Sequence, residues 1–551
     1  MRNVFLLSSL LAASVACTGD FGASDAETGG TLVISVGADP DYLLPPIITA
    51  MLGRQVQDLV FYRLAELRAP INTLGDEGFE PRLAESWSWS RDSLQVTFRL
   101  DPRARWHDGL PVHARDVVVT HALYVDPVVG SPGSVYFANV DSITAPDSST
   151  AVVWFKRRTA EQFYDVVHNL IPLPSHLLAE VDRSALRSSE LASRPVGNGP
   201  YRLVRWERGS RLELVADTTH WRGRPHLDRV IWTPAPDPTT AVTRLFTGEA
   251  DLYENLRPDN IAQAANDSML RLVPYSSLQY GFMQFNLHDS RNRARPHPLF
   301  ADREVRRALT MAVDRERLVR SIYDTLAYVA LGPFPRAIAG DTVLRQIPYD
   351  LDGARRLLDS LGWRDADGDG VRERNGVRLA FSILTPTSSR PRMDAAVILQ
   401  EQLNQVGARV AIDQMDFNSF LDRQEARRFD AWLGVWGTDP SPAGIRQTWG
   451  GGGESNFGGY ASETFDALLD SAVFAGDADA SAEYYRRAYQ TIIDDAAGVW
   501  LYEPRTVAGI HRRLRITGMR PDAWWIGIPQ WSIPADERID RDRIPLVARR
   551  E

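Results

Sequence analysis

Residues 394–415 read Asp394-Ala-Ala-Val-Ile-Leu-Gln-Glu-Gln-Leu-Asn-Gln-Val406, then Gly407, then Ala-Arg-Val410-Ala-Ile-Asp-Gln-Met415. The first part has helical spacing, Gly407 is a helix stop, and Val410–Met415 reads as a strand, so the stretch is a helix-to-strand step of an α/β unit. Working outward, Val305 to Ile322 places Val305, Leu309, Ala312, Val313 and Leu318 on one helical side. Ile48 to Leu67 and Asp116 to Tyr124 also predict helices, the latter after the turn Gly109-Leu110-Pro111. Leu94–Leu100 alternates in the strand manner, Ala151–Phe155 and Leu212–Val215 are strand-like, and Thr31–Gly37 reads as a buried strand ended by Asp39-Pro40. No fixed repeat period appears, which excludes a solenoid. The reading is a mixed α/β chain of several domains.

The chain has 551 residues, with 62 Lys+Arg against 71 Asp+Glu and a formal net charge of −9. A 44% hydrophobic and 24% charged composition supplies several cores and excludes a disordered chain. The acidic balance argues against nucleic-acid binding. The single cysteine, Cys17, excludes a disulfide framework and a zinc cluster built on cysteine pairs. Arg2 followed by the apolar stretch Val4–Ala16 has the layout of a secretory signal. Ser14-Val15-Ala16-Cys17 resembles the lipobox of bacterial lipoproteins, with serine where leucine is usual; the resemblance implies a signal peptide over 1–16, lipidation at Cys17 and a flexible tether over 17–29. A plain signal peptide ending nearby is the other reading. Removal of Arg2 with the leader takes the net charge to −10. The expected location is outside the cytoplasmic membrane, periplasmic or cell-surface and lipid-anchored.

Six ordered stretches resemble the bacterial extracellular solute-binding proteins of family 5, the peptide-binding subunits of ABC importers. They are Gly30–Pro40; Pro81-Arg-Leu-Ala-Glu-Ser-Trp87 with Phe98-Arg-Leu100 and Trp106-His-Asp-Gly-Leu-Pro-Val112; Pro195-Val-Gly-Asn-Gly-Pro-Tyr201; Phe285-Asn286 with Phe300, Val305–Leu309 and Ala312–Arg315; Phe429-Asp430 with Trp436-Gly-Thr-Asp-Pro440; and Asn456–Tyr460 with Phe465-Asp466. The resemblance implies a two-lobed Venus-flytrap fold with an additional inserted domain. Lobe I is expected from 30–66, 199–286 and 498–551, the inserted domain from 67–198, and lobe II from 287–497. The implied function is capture of di- or oligopeptides between the lobes, for delivery to a membrane permease with cytoplasmic ATPases, by a monomer that needs no cofactor. A receptor of the same fold for an oligosaccharide (there are 15 tryptophans) or another solute, and a ligand-presenting chemosensory receptor, are the alternatives.

In peptide-binding relatives the aspartate matching Asp439 pairs with the ligand's α-amino group, so the resemblance assigns that role to Asp439. Asp439-Pro440 also fits a simple turn. Trp436, flanked by Trp432 and Trp449, is a candidate to line the cleft. Asn286 and Asn456 are candidate polar contacts, with a turn cap and a surface loop as their other readings. Val33 and Ser35 are implied to pair with the peptide backbone by strand addition. Asp365-Ala-Asp-Gly-Asp-Gly370 places Asp365, Asp367 and Asp369 in the order of a calcium loop, although Gly376 stands where the twelfth-position glutamate belongs. The same residues suit a hairpin turn without metal. The sequence has no Walker lysine, HExxH, GxSxG or GxGxxG motif, and His107, His168 and His176 have no metal spacing, so no catalytic residue is expected.

Overall fold

The structure, a computed structural model, describes residues 28–339 and 344–546. The leader and Cys17 lie outside the described residues. Thr31–Val36 is rich in β-branched residues and buried at all six positions, as a strand with neighbours on both sides and both faces covered must be. It runs parallel to Arg229–Pro234 on one side and Leu252–Tyr253 on the other. The sheet continues outward through Arg211–Ala216 to the edge strand Tyr201–Glu207. In the opposite direction the long strand Gly498–His511 leads to Gln279–Phe285, Ala431–Gly437, Ala380–Pro386 and Arg409–Met415. Leu270–Ser276 and Ala327–Val329 also pair with the long strand, completing 12 strands.

The α/β step read from residues 394–415 is present. Helix Arg390–Asn404 links the parallel strands Ala380–Pro386 and Arg409–Met415, and Gly407 takes the positive φ of 78° that ends the helix region. Two predicted helices are shorter than expected. Val305–Ile322 divides into Arg303–Met311 and Arg315–Tyr323, because the Asp314 carboxylate accepts the Arg317 N–H and starts a new helix. Within Ile48–Leu67 only Met51–Val60 is helical; Phe61 is extended, and Ala65–Leu67 pairs with Phe79–Pro81.

Residues 84–155 supply a separate four-stranded antiparallel sheet, in the order Ala84–Trp89, Gln95–Leu100, Thr150–Phe155, Val140–Thr144. Trp87 and Phe98 pack on Phe163, with ring centroids 5.0 and 5.7 Å away, and Trp106 donates its indole N–H to Asp116 at 3.1 Å. His107 binds the glycine-rich 195–201 loop at both ring nitrogens, accepting the Gly197 N–H at Nδ1 (3.2 Å) and meeting the Gly199 carbonyl at Nε2 (2.9 Å). A Cβ at Gly197 would lie 1.9 Å from the Val60 carbonyl oxygen, so only glycine permits that loop to rest on the end of helix Met51–Val60. The apolar core here is continuous with that of the sheet around Thr31–Val36. The expected mixed α/β class holds.

The chain ends are tied by a buried ionic network. Asp251, fully buried, receives Arg513 at 2.7 Å and Arg541 at 2.7 Å, and its other oxygen accepts the Val33 N–H at 2.9 Å. Arg513 also binds Asp542, whose carboxylate accepts the Thr31 N–H at 2.7 Å. Arg513→Met removes the shared cation and leaves two buried carboxylates short of a partner. Chemical denaturation should show a loss of about 3–5 kcal/mol; an unchanged midpoint at equal slope would show that the network adds nothing to stability.

Candidate ligand-binding site

The helix Met51–Val60, Tyr124, Tyr136 and Tyr164, the turn between Leu270–Ser276 and Gln279–Phe285, the loop Gly437–Pro440 and the segment Arg520–Trp525 converge on one cleft of about 640 Å³. The loop is fixed at its base by the register pair Gly437–Gln279 and by the Thr438 N–H, which donates to the Leu278 carbonyl at 2.8 Å. Asp439 follows directly. It is exposed in the cleft, and its carboxylate has no hydrogen-bond or ion-pair partner among the described residues. Tyr136 and Tyr164 stand near it; burial first, and then the Asp439 charge, push both phenols above their ordinary pKa.

Most other charges in the wall are matched internally. Arg63 pairs with Asp58 at 2.7 Å, and Arg520 bridges Glu66 at 2.9 Å and Asp522 at 2.7 Å. Burial alone would raise Glu66, yet the Arg520 and Arg63 guanidiniums outweigh it and hold the carboxyl down at about 2. Glu254 accepts the Trp524 indole N–H and the Gln55 amide, and burial raises its carboxyl above the usual range. Trp525 donates to Asp58 at 2.9 Å. His168 stacks on Tyr164 at 4.8 Å, and burial, aided by Arg63, lowers its pKa to about 3, so it is neutral.

Of the residues singled out in the sequence, the structure brings Asp439 to the cleft and places the others elsewhere. Trp436 is stacked between Phe282 and Phe457, each with ring centroids 6.2 Å away, in an aromatic cluster outside the cleft wall. Asn286 is buried and donates to the Arg427 and Phe429 carbonyls while accepting the His288 N–H, so it braces a turn. Asn456 does the same for its own loop, through the Gly450 and Tyr460 carbonyls and the Tyr460 N–H. Val33 and Ser35 lie inside the sheet; the Val33 N–H and C=O both bond to Asp251, and Ser35 is 1% exposed. The strand addition expected there has no free edge to use. In the acidic loop, Asp369 turns to Arg378 and to Arg409 (3.3 Å), leaving Asp365, Asp367 and Glu373 with oxygens within 4.8 Å of one another. The Asp365 carboxylate also accepts the Gly368 and Gly370 N–H groups, at 2.8 and 3.0 Å. Arg54, Tyr136, Tyr164, Glu254, Tyr275 and Trp524 also line the cleft; they carry no local sequence signal and meet only through tertiary structure.

Residues 78–457 match the family described as bacterial extracellular solute-binding proteins, family 5 Middle. The chain belongs to this family. It is 24% identical over 526 residues to the oligopeptide-binding protein AppA of Bacillus subtilis, covering 91% of this chain and 92% of AppA. The AppA structure in complex with a nonapeptide has a TM-score of 0.67 at 23% identity, over 92% of this chain and 99% of that one. The ABC transporter substrate-binding protein CtaP of Listeria monocytogenes has a TM-score of 0.79 at 22% identity, over 92% and 100%. Heme-binding protein A of Haemophilus influenzae is 25% identical over 463 residues, 80% of each chain. The fold is thus that of the family 5 solute-binding proteins, whose role is binding and not catalysis.

Beside the cleft of this family 5 chain, Thr73, Ala160 and Glu161 touch Ser441 and Val473. Glu161, 9% exposed, accepts the Thr73 hydroxyl at 2.6 Å and the Ser441 hydroxyl at 2.7 Å, and the Ala160 N–H donates to the Val473 carbonyl at 2.9 Å. Burial pushes Glu161 up to about 7, with the two hydroxyls pulling the other way; among the described residues no cation faces it, while Asp165, Tyr164, Tyr485 and Tyr489 do. A carboxyl raised from 4.5 holds a proton in the folded contact that the unfolded chain has released, so the contact weakens as pH rises through about 7. Glu161→Gln should therefore gain stability relative to the native protein between about pH 5 and pH 8. Melting temperatures of the two proteins across that window provide the check, and parallel curves would exclude a buried, protonated Glu161.

Proposed function

We propose that this chain is the substrate-binding protein of an ABC importer and captures peptides in the cleft, with the ligand's α-amino group on Asp439. The observation that carries this reading is the unpartnered Asp439 carboxylate between aromatic walls, in a cleft whose other acids have protein partners. A cation entering there meets a single acceptor. Opposite charges ~4 Å apart attract by about 4 kcal/mol at an effective dielectric of 20, less the cost of desolvating both. The names of AppA and CtaP agree with this reading. A sugar site is less well supported, because Trp436 is stacked inside an aromatic cluster and the Trp524 and Trp525 indole N–H groups are engaged by Glu254 and Asp58.

In this reading residues 30–66, 199–286 and 498–551 form lobe I, 67–198 the inserted domain and 287–497 lobe II. Ligand contacts across the cleft favour the closed arrangement by their differential affinity. The loaded monomer then delivers its cargo to a permease driven by cytoplasmic ATPases, while the lipid on Cys17 keeps the protein at the membrane, in a periplasm or on a cell surface. No described helix is long and apolar enough to cross a membrane.

Asp439→Asn should weaken binding of free-amine peptides by about tenfold or more and leave N-acetylated peptides nearly unaffected. Calorimetric titration with both peptide forms tests this, and equal losses would remove Asp439 from the amine site. Cys17→Ser should release the protein from the membrane fraction; detergent partitioning that keeps the variant in the membrane would rule out the anchor.

A further inference from the structure

The loop that carries Asp439 is tied on both sides of that residue. Before it, the Thr438 N–H donates to the Leu278 carbonyl at 2.8 Å. After it, the Ser441 hydroxyl donates to Glu161 at 2.7 Å and accepts the Ala443 N–H at 3.1 Å, which starts the short 3-10 turn Pro442–Gly444. Pro440 and Pro442 flank Ser441, and each fixes its own φ. Asp439 is therefore exposed at its side chain but constrained at its backbone, one residue from the first tie and two from the second.

Glu161 is itself held for that task. Its other oxygen accepts the Thr73 hydroxyl at 2.6 Å. The preceding residue, Ala160, donates its N–H to the Val473 carbonyl and accepts the Gly75 N–H, each at 2.9 Å. Glu161 is also the N-cap residue of helix Gln162–Asn169, which brings Tyr164 and His168 to the cleft wall. One buried carboxyl thus sets the loop of Asp439 against the helix of Tyr164, while Glu161 itself lies outside the cleft wall. The titratable groups that face it are Asp165 and Tyr164 from its own helix and Tyr485 and Tyr489 from helix Ala478–Asp494; none is a cation. An ionised carboxylate among these neighbours is a buried charge without a counter-ion, whereas the neutral acid still bridges two hydroxyls, accepting at one oxygen and donating at the other.

We propose that Glu161 is a positioning residue for peptide capture, holding the Asp439 carboxylate, through Ser441, where the ligand's amine meets it. This deepens the peptide reading of the same cleft and rests on it. The tie is strongest while Glu161 keeps its proton. Burial places its titration at about 7, so rising pH puts a charge beside Asp165, loosens the tie and frees the loop. Ligands that depend on the amine contact then lose affinity, and ligands without a free amine do not.

The test is calorimetric titration of trialanine and N-acetyl-trialanine into the native protein, Glu161→Ala, Glu161→Gln and Ser441→Ala. Melting temperatures without peptide confirm that each variant is folded; Ser441→Ala cuts the tie from its half-buried end and carries the comparison if Glu161→Ala does not fold. At about pH 6, Glu161→Ala and Ser441→Ala should each lose roughly threefold to tenfold for trialanine and almost nothing for the acetylated form. Glu161→Gln, which keeps an acceptor and a donor in place, should bind as the native protein does. Between about pH 6 and about pH 8 the native protein should lose up to about tenfold more affinity for trialanine than Glu161→Gln, because a carboxyl titrating at about 7 is roughly nine-tenths ionised at the upper end. The ligand's amine titrates alike in both experiments, so the difference between the two proteins reads Glu161 alone. Unchanged trialanine affinity in the folded Ala variants, equal losses for the two peptides, or parallel pH profiles of native and Glu161→Gln each overturn the role of Glu161 and leave the peptide reading standing. A native protein that binds neither peptide overturns both.

Discussion

Every strand ladder joining the two halves of the large sheet passes through one segment, Gly498–His511. Its first part pairs with Gln279–Phe285 up to Tyr502, and from Arg505 onward it pairs with Leu270–Ser276. The change of partner occurs around Pro504, which has no N–H to offer a ladder and is tolerated where pairing switches. Neighbouring Glu503 is almost fully buried and accepts the backbone N–H groups of Leu331 and Arg336, so the crossing is anchored from the second half of the sheet. At Gly281, where the register shifts, a Cβ would lie 2.3 Å from the Tyr502 ring. The crossing is therefore closely packed. It forms the back of the cleft through Tyr275, Ser277, Gln279 and Thr506, so any rotation of one half against the other alters the site directly.

The most recognisable parts of the sequence lie outside the cleft wall. Leu83–Trp87, Trp106–Val112 and Pro195–Tyr201 are legible because their chemistry is local: tryptophans needing an indole acceptor, a histidine spanning two backbone groups, and glycines that admit a carbonyl. In the structure these residues hold the 195–201 loop against the end of helix Met51–Val60, through His107 on Gly197 and Gly199 and through Asn198 on the Tyr62 N–H at 2.8 Å. They set where Arg54, Tyr124 and Tyr164 stand without touching the cleft space themselves.

The fold class, the α/β step at 390–415 and most strands follow from periodicity, since burial on one or both faces leaves a pattern of period two or a continuous apolar run. The site follows much less. Asn286, Asn456, Val33 and Asp439 look alike in sequence, each a polar group or strand segment beside a turn. What separates them is whether tertiary neighbours satisfy their hydrogen bonds. Asn286 and Asn456 are consumed by nearby carbonyls, and the Val33 backbone by Asp251, a residue more than two hundred positions away. Only Asp439 emerges unpaired. Arg54 carries no local signal at all: it is one of many arginines, on the exposed side of an ordinary helix.

The electrostatic state of the cleft follows from the same distinction. Asp58, Glu66, Asp522, Arg63 and Arg520 form a chain in which each charge faces its opposite, and Glu66 shows how far two guanidiniums outweigh burial. Such a chain stiffens the wall but offers little to an incoming ion, because any new partner must first break an existing pair. Groups outside the chain behave differently. They stay solvated while the cleft is open to water and lose that hydration when a ligand fills it, so a filled cleft is stable only if the ligand supplies the missing charges. An apolar molecule filling the cleft would leave Arg54 and Asp439 dehydrated and unpaired. Arg54 and Asp439 are thus the charges of this cleft left without a protein partner among the described residues, beside a wall whose remaining charges are already paired.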